Sequence, residues 1–328
     1  MRELWGVYHT EIPPLLKELA QTPPMQRLRG VGMNCGCEYT AFRRFAGLAP
    51  YTRYDHSIGV GLIVWHFTGD KRQAAAGLLH DIATPPFAHV VDFLHGDYLQ
   101  QESTERGTAE LIAGSEPIRD ALHACGLQPE EVDDYHRYPI ADNDSPKLSA
   151  DRLEYTLGNA INYGLGTAQT VAELYLNLCV ARNEEGEPEL CFSDAQAALQ
   201  FAELSLACSE IYVSDEDRYS MQRLAELLAQ ALERGVLSPQ TLRGTELALI
   251  LQLQKDPQSA GAWEAYCGMS QLRRSDMPFG AQSRRIDAKR RYIDPLVAGQ
   301  GRVSCLFPEM GTRLRAFRER SFDYWIGY

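Results

Sequence analysis

Thr52-Arg53-Tyr54-Asp55-His56-Ser57-Ile58-Gly59-Val60, followed further on by Gly77-Leu78-Leu79-His80-Asp81-Ile82-Ala83-Thr84-Pro85-Pro86-Phe87-Ala88-His89, is the stretch that decides the fold. A third piece, Lys147-Leu148-Ser149-Ala150-Asp151-Arg152-Leu153-Glu154-Tyr155, lies well beyond it. His56, His80, Asp81 and Asp151 are the residue types that bind a divalent cation such as Mn, Mg, Fe, Co, Ni or Zn. His56 falls where an extended piece, residues 49–52, gives way to a helical one, residues 57–67. Residues 74–79 are an Ala/Leu run that favours helix, and Pro85-Pro86 breaks it soon after His80-Asp81. Adjacent helical residues point about 100° apart, so both can reach an ion seated over the edge between them. A charged Asp81 in so apolar a neighbourhood needs a partner or a metal. Asp151 follows Asp81 by 70 residues and must fold back from a separate helix. Helical bundles build sites of this kind between their helices.

The rest of the chain reads helical near residues 104–113, 147–163, 194–211 and 217–234. In the last of these Leu224, Leu227, Leu228, Ala231 and Leu232 recur on one face. Residues 182–188 form a turn between segments 176–181 and 189–192, which suit a small hairpin. Residues 292–297 and 303–307 read as short strands. The expected fold class is all-α, with a few short strands in the C-terminal part. Residues 1–200 are expected to form the metal-binding helical core. Residues 201–328 are expected to form a C-terminal helical extension packed on it.

At 328 residues with 45% hydrophobic content, the chain can bury a core without disulfides. Its eight cysteines follow no framework spacing, and Cys35-Gly36-Cys37 is too tight for the usual zinc pair. They are expected to be free thiols in a reducing, cytoplasmic compartment. No signal core or membrane-length apolar run is present. A net charge of −12 disfavours nucleic acid polymers as partners. Seven cations within residues 273–291, namely Arg273, Arg274, Arg284, Arg285, Lys289, Arg290 and Arg291, stand out against that acidity. They form either a solvated face with acidic neighbours or a phosphate contact.

The His56 and His80-Asp81 stretches resemble the HD-domain metal-dependent phosphohydrolases, most closely the deoxynucleoside triphosphate triphosphohydrolase branch. The resemblance covers roughly residues 20 to 165, with a fainter echo to about 235. It implies an HD-domain helical bundle, one divalent metal ion, a small phosphorylated substrate such as a nucleotide, and a homo-oligomer. It implies metal ligation by His56, His80, Asp81 and Asp151. Arg53, Arg152, Tyr155 and Asn159 then stand at substrate positions, and His89, Asp92 and Glu102 at catalytic ones. His89 is the expected proton carrier, since an unperturbed imidazole titrates near neutral pH. The chain departs from the pattern at Gln101, Thr84 and Asn159, where the family has two histidines and an aspartate. Met33 stands where a glutamine is usual. His95, His123 and His136 read as surface residues.

Two functions follow from these residues. One is a metal-dependent phosphohydrolase acting on a nucleotide. The other is a lapsed HD core that binds nucleotide or metal as a regulatory module, which the three departures favour.

Overall fold

The computed structural model describes residues 2–96, 99 and 107–328. Its centre is the helix Arg53–Thr68, which buries residues on every side, from Arg53 and Tyr54 to Leu62, Ile63 and Val64. A helix apolar all round is one that other elements enclose. Its start is fixed by a capping box: Thr52 Oγ1 accepts from the Asp55 backbone and Asp55 Oδ2 accepts from the Thr52 backbone, each at 3.2 Å. Asp70 caps the next helix, Lys71–Leu79, by accepting from the Arg72 backbone at 2.8 Å. The short link between the two folds them back on each other. His56, in the first turn of one, is thereby brought beside His80 at the end of the other.

The helix Ala150–Asn162 crosses the same central helix and carries Asp151 in its first turn. The predicted stretches 194–211 and 217–234 are the helices Ala195–Tyr212 and Asp215–Glu233. The stretch near 104–113 is helical over Thr108–Gly114, its first residues lying outside those described.

The strands correct the sequence reading in three places. The expected hairpin forms between Leu178–Arg182 and Pro188–Phe192, so part of the sheet precedes the C-terminal region. Phe192 then pairs in parallel with Val297, and Leu296–Val297 pairs with Gly301–Arg302. Residues 303–307, read as a strand from their apolar run, begin instead with the short helix Val303–Leu306. A short apolar run does not separate strand from helix, and here its Val303 side packs into the core. A second, two-stranded sheet joins Arg273–Ser275 to Trp325–Gly327. No periodicity announces this pairing in so polar a stretch.

Two apolar clusters stabilise the chain. The larger runs through the central helices and takes in Val297, Leu314 and Phe317 from the C-terminal part. The other gathers Phe42, Phe45 and Phe87 around Tyr219, Leu224 and Leu228 of the Asp215–Glu233 helix, with Trp263 and Ile326 beside them. All eight cysteines are free thiols, with Cys179 and Cys191 side by side on the hairpin. Among the described residues no helix is long and apolar enough to cross a membrane.

Candidate metal centre

Nε2 of His56 lies 3.2 Å from Nε2 of His80 and 3.0 Å from Asp151 Oδ1. Asp81 Oδ2 faces both imidazoles, 3.8 Å from His56 Nε2 and 3.6 Å from His80 Nε2. The opposite nitrogen of each ring is already engaged. His56 Nδ1 donates to Glu154 Oε2 at 2.6 Å, and His80 Nδ1 donates to the Gly77 carbonyl at 2.7 Å. With both Nδ1 atoms so engaged, the two Nε2 atoms and two carboxylate oxygens face one another. That arrangement is electrostatically costly until a cation sits among them, and it suits a divalent ion of the imidazole- and oxygen-binding kind.

The electrostatics agree. Burial disfavours the charged imidazole of His56, but Asp151 and Glu154 outweigh it and raise its pKa. Burial likewise opposes ionisation of Asp81 and Asp151. Arg53 and the two histidines nevertheless hold Asp81 far below the usual carboxylate range, and His56 does the same for Asp151. Three of the four side chains are almost wholly buried, whereas the Asp151 side chain keeps 21% of its surface exposed. The centre therefore opens on the Asp151 side, as a catalytic site requires.

The support beneath His56 is a feature the sequence did not reveal. Glu154, with its side chain 2% exposed, accepts from His56, from the Tyr51 hydroxyl and, at 3.4 Å, from the Tyr8 hydroxyl. Room for this carboxylate exists because two facing residues are glycine. A Cβ on Gly59 would stand 2.5 Å from Glu154 Cγ, and one on Gly158 would stand 2.6 Å from Tyr51 Cζ. Thr84 is part of the same frame: its hydroxyl donates to Asp81 Oδ1 at 2.7 Å.

The centre forms one wall of a cavity of about 670 Å³, within the range of small-molecule sites. Arg53, His89, Arg152, Tyr155 and Asn159 all line it. Arg53 Nη1 donates to Asp81 Oδ2 at 2.9 Å, and its buried Nε has no protein partner among the described residues. Arg152 is spent largely on its own loop, donating to Asn143 Oδ1 at 2.7 Å and pairing with Asp142 at 3.4 Å. Asn159 Nδ2 donates to the Tyr212 hydroxyl at 2.7 Å, and Tyr155 meets the Tyr212 ring edge-on. His136, half exposed as expected of a surface residue, also reaches the cavity rim.

His89 is delivered by an unusual turn. Phe87 and Ala88 take φ values of 62° and 45°, each costing about 1–3 kcal/mol in a residue other than glycine. Glu246 steadies the turn by accepting from the Phe87 backbone at 3.4 Å while also accepting from Gly32 at 2.8 Å. Asp92, fully buried, holds His89 Nδ1 at 2.8 Å, and Arg291 Nη2 lies 3.4 Å from His89 Nε2. Burial, with Arg291 and Arg53 adding to it against the opposing pull of Asp92, brings the imidazole pKa down to about 4. The expectation of an imidazole titrating near neutrality is thus corrected: His89 is a neutral acceptor there. Glu102 and Gln101 lie outside the described residues.

The basic stretch divides. Arg274 pairs with Asp215, Arg284 with Glu226, Arg285 with Asp323 and Arg290 with Asp287. Lys289 and Arg291 are the cations of the stretch that line the cavity. Their sequence neighbourhood alone did not distinguish these two from the others.

No family model matches the chain. It is 29% identical over 303 residues to the uncharacterized protein YdhJ of Bacillus subtilis, covering 90% of this chain and 86% of that protein. It is 25% identical over 238 residues to the metal-dependent phosphohydrolase cns2 of Cordyceps militaris, covering 70% of this chain and 65% of that one. A segment of 144 residues is 31% identical to the human deoxynucleoside triphosphate triphosphohydrolase SAMHD1, covering 38% of this chain but 22% of that enzyme. The relatives with named activities thus extend well beyond the matched region. Taken with the His-Asp centre, these similarities support an HD-type metal-dependent phosphohydrolase.

Proposed function

We propose that this protein hydrolyses a phosphate ester or anhydride of a nucleotide, with His56, His80, Asp81 and Asp151 holding one divalent metal ion. The observation that carries this reading is the facing set of imidazole and carboxylate donors on the wall of a cavity that also receives Arg53, Lys289 and Arg291. When bound, the ion supplies Lewis acidity toward a phosphoryl oxygen and toward water.

The chain's own residues do the rest. Arg53 keeps Asp81 in place with one nitrogen and offers its buried Nε to a phosphate oxygen. Lys289 and Arg291 balance further phosphate charge. His89, fixed by Asp92 through Nδ1, presents the Nε2 lone pair as a hydrogen-bond acceptor that orients attacking water. Tyr155 and Asn159 line the cavity as sugar-side contacts, and Arg152 shapes the loop that carries Asp142 and Asn143.

The test is phosphate release from nucleoside mono-, di- and triphosphates with Mn, Mg, Co and Ni, alongside elemental analysis of the purified protein. The H80A/D81A double variant is expected to lose bound metal and turnover together. Retention of both would refute the reading. The lapsed-core alternative rests on Gln101, Thr84 and Asn159. Nucleotide binding without phosphate release under every metal would favour it.

A further inference from the structure

Away from the metal centre, the same cavity is lined by a carboxyl that the proposed reaction does not use. Asp217 is 8% exposed and sits in the first turn of the Asp215–Glu233 helix. An acid at this position usually caps its own helix. Here the Asp217 backbone N–H donates to Ser214 Oγ at 3.3 Å, but the carboxyl does not return the bond to the Ser214 backbone. Among the described residues its one hydrogen-bonding partner is the Cys37 thiol, a weak donor 3.8 Å away. The adjacent Arg218 does not neutralise it. That guanidinium is engaged by Asp215 at 2.6 Å and by the Val213 and Ile286 carbonyls. Burial consequently pushes the Asp217 carboxyl up to about 8. A buried polar group without a proper partner costs free energy, and this one lines the substrate cavity.

The surroundings suit a flat heterocycle. Asn34 Oδ1 accepts from the Tyr163 hydroxyl at 3.1 Å, and Met33, Met221 and Tyr212 add apolar and aromatic surface to the same cavity. Resting on the nucleotide reading above, we infer that Asp217 reads the amino edge of the nucleobase. The pocket then takes guanine nucleotides, whose base presents two donors side by side (N1–H and the C2 amine), in preference to hypoxanthine, which presents one. The carboxyl accepts from that amine in either protonation state. Its second oxygen takes the neighbouring ring position and, as the ion, accepts from guanine N1–H. Hypoxanthine keeps N1–H but carries C–H where guanine has the amine. A site built to hydrogen-bond a group discriminates strongly against analogues lacking it, and a good bidentate base contact is worth about 1–3 kcal/mol of discrimination.

The experiment compares kcat/KM and equilibrium binding for adenosine, guanosine and inosine nucleotides in the wild type, D217N and D217V, with p-nitrophenyl phosphate as a base-free substrate. The wild type is expected to favour guanosine over inosine nucleotides by about 10- to 100-fold. D217V is expected to lose that preference while still hydrolysing p-nitrophenyl phosphate. In D217N the amide sets an NH₂ against one of guanine's two donors, so guanosine binding falls toward that of inosine. Hydrolysis of all three nucleotides at equal efficiency overturns the base-reading proposal and leaves the nucleotide reading standing. An undiminished preference in D217V overturns it equally. Hydrolysis of p-nitrophenyl phosphate with no nucleotide bound overturns both.

Discussion

Replacing Glu154 by glutamine removes one negative charge from beneath the metal centre while keeping the shape of the side chain. In the native protein Oε2 receives His56 Nδ1 at 2.6 Å together with the Tyr51 hydroxyl, and Oε1 receives Tyr8 at 3.4 Å. Glutamine can place its carbonyl toward His56 and Tyr51 and its amide toward Tyr8, whose hydroxyl turns to accept. The hydrogen-bond count is therefore nearly preserved, and what disappears is the carboxylate that makes His56 a more basic ligand. Loss of such an outer partner typically weakens metal binding about 10- to 100-fold, or roughly 1.4–2.7 kcal/mol. The assay is titration of Mn or Co into the metal-stripped protein, by calorimetry or competition with a chelating dye, for the wild type and E154Q. Circular dichroism and a melting curve confirm that E154Q is folded. The alanine variant is unsuitable for this purpose. It leaves a buried His56 N–H and two tyrosine hydroxyls without an acceptor, each costing about 1–3 kcal/mol, so instability would mask the ligand effect. If folded E154Q binds the metal within twofold of the wild type, the carboxylate does not tune His56, and the account of this support is wrong.

Two further predictions concern the same frame. In G158A the new methyl group meets Tyr51, whose Cζ is 2.6 Å from the ideal Cβ position. The expected cost is about 1–3 kcal/mol of stability, with weaker metal binding because Tyr51 is pushed off Glu154; an unchanged melting temperature would show that the ring has space to move. His89 gives a pH signature. Its pKa falls to about 4 in the folded protein and is about 6.5 when unfolded. The unfolded chain thus binds the extra proton first, so the stabilising contribution is complete above about pH 6.5 and is lost as pH falls toward 4. The difference amounts to at most about 3 kcal/mol. Stability curves of the wild type and H89Q should converge with acidification across that window, and parallel curves would contradict the assigned environment of His89.

The metal centre was legible because its chemistry is local. A histidine at a helix start and a His-Asp pair before Pro85-Pro86 are rare combinations, and each helix has short-range signals such as the Thr52–Asp55 capping box. What holds these ligands was not legible. Glu154 reads as one more polar residue of a helix, and Tyr8 and Tyr51 reach it from other parts of the chain. Their convergence is decided by packing around Gly59 and Gly158, which no periodicity encodes. The basic stretch failed for a related reason. Composition identified its cations, but only the fold distributes Arg274, Arg284, Arg285 and Arg290 to acidic partners while bringing Lys289 and Arg291 to the cavity.

The departures from the family pattern also change meaning in three dimensions. Thr84, standing where a histidine is usual, donates to Asp81 Oδ1. It thereby occupies one carboxylate oxygen and leaves Oδ2 to face the imidazoles. A threonine at this place supports the ligand set and supplies no titrating group of its own. Asn159 similarly exchanges an acidic side chain for a donor to Tyr212, tying the Ala150–Asn162 helix to the Ala195–Tyr212 helix across the cavity wall. Both substitutions remove a group that could carry charge or a proton, and both leave the metal ligands in register. Such changes alter the reacting face more than the cation site. Under the proposed function, the acceptor left to face the reacting water is His89, whose imidazole burial holds neutral beside Asp92 and Arg291.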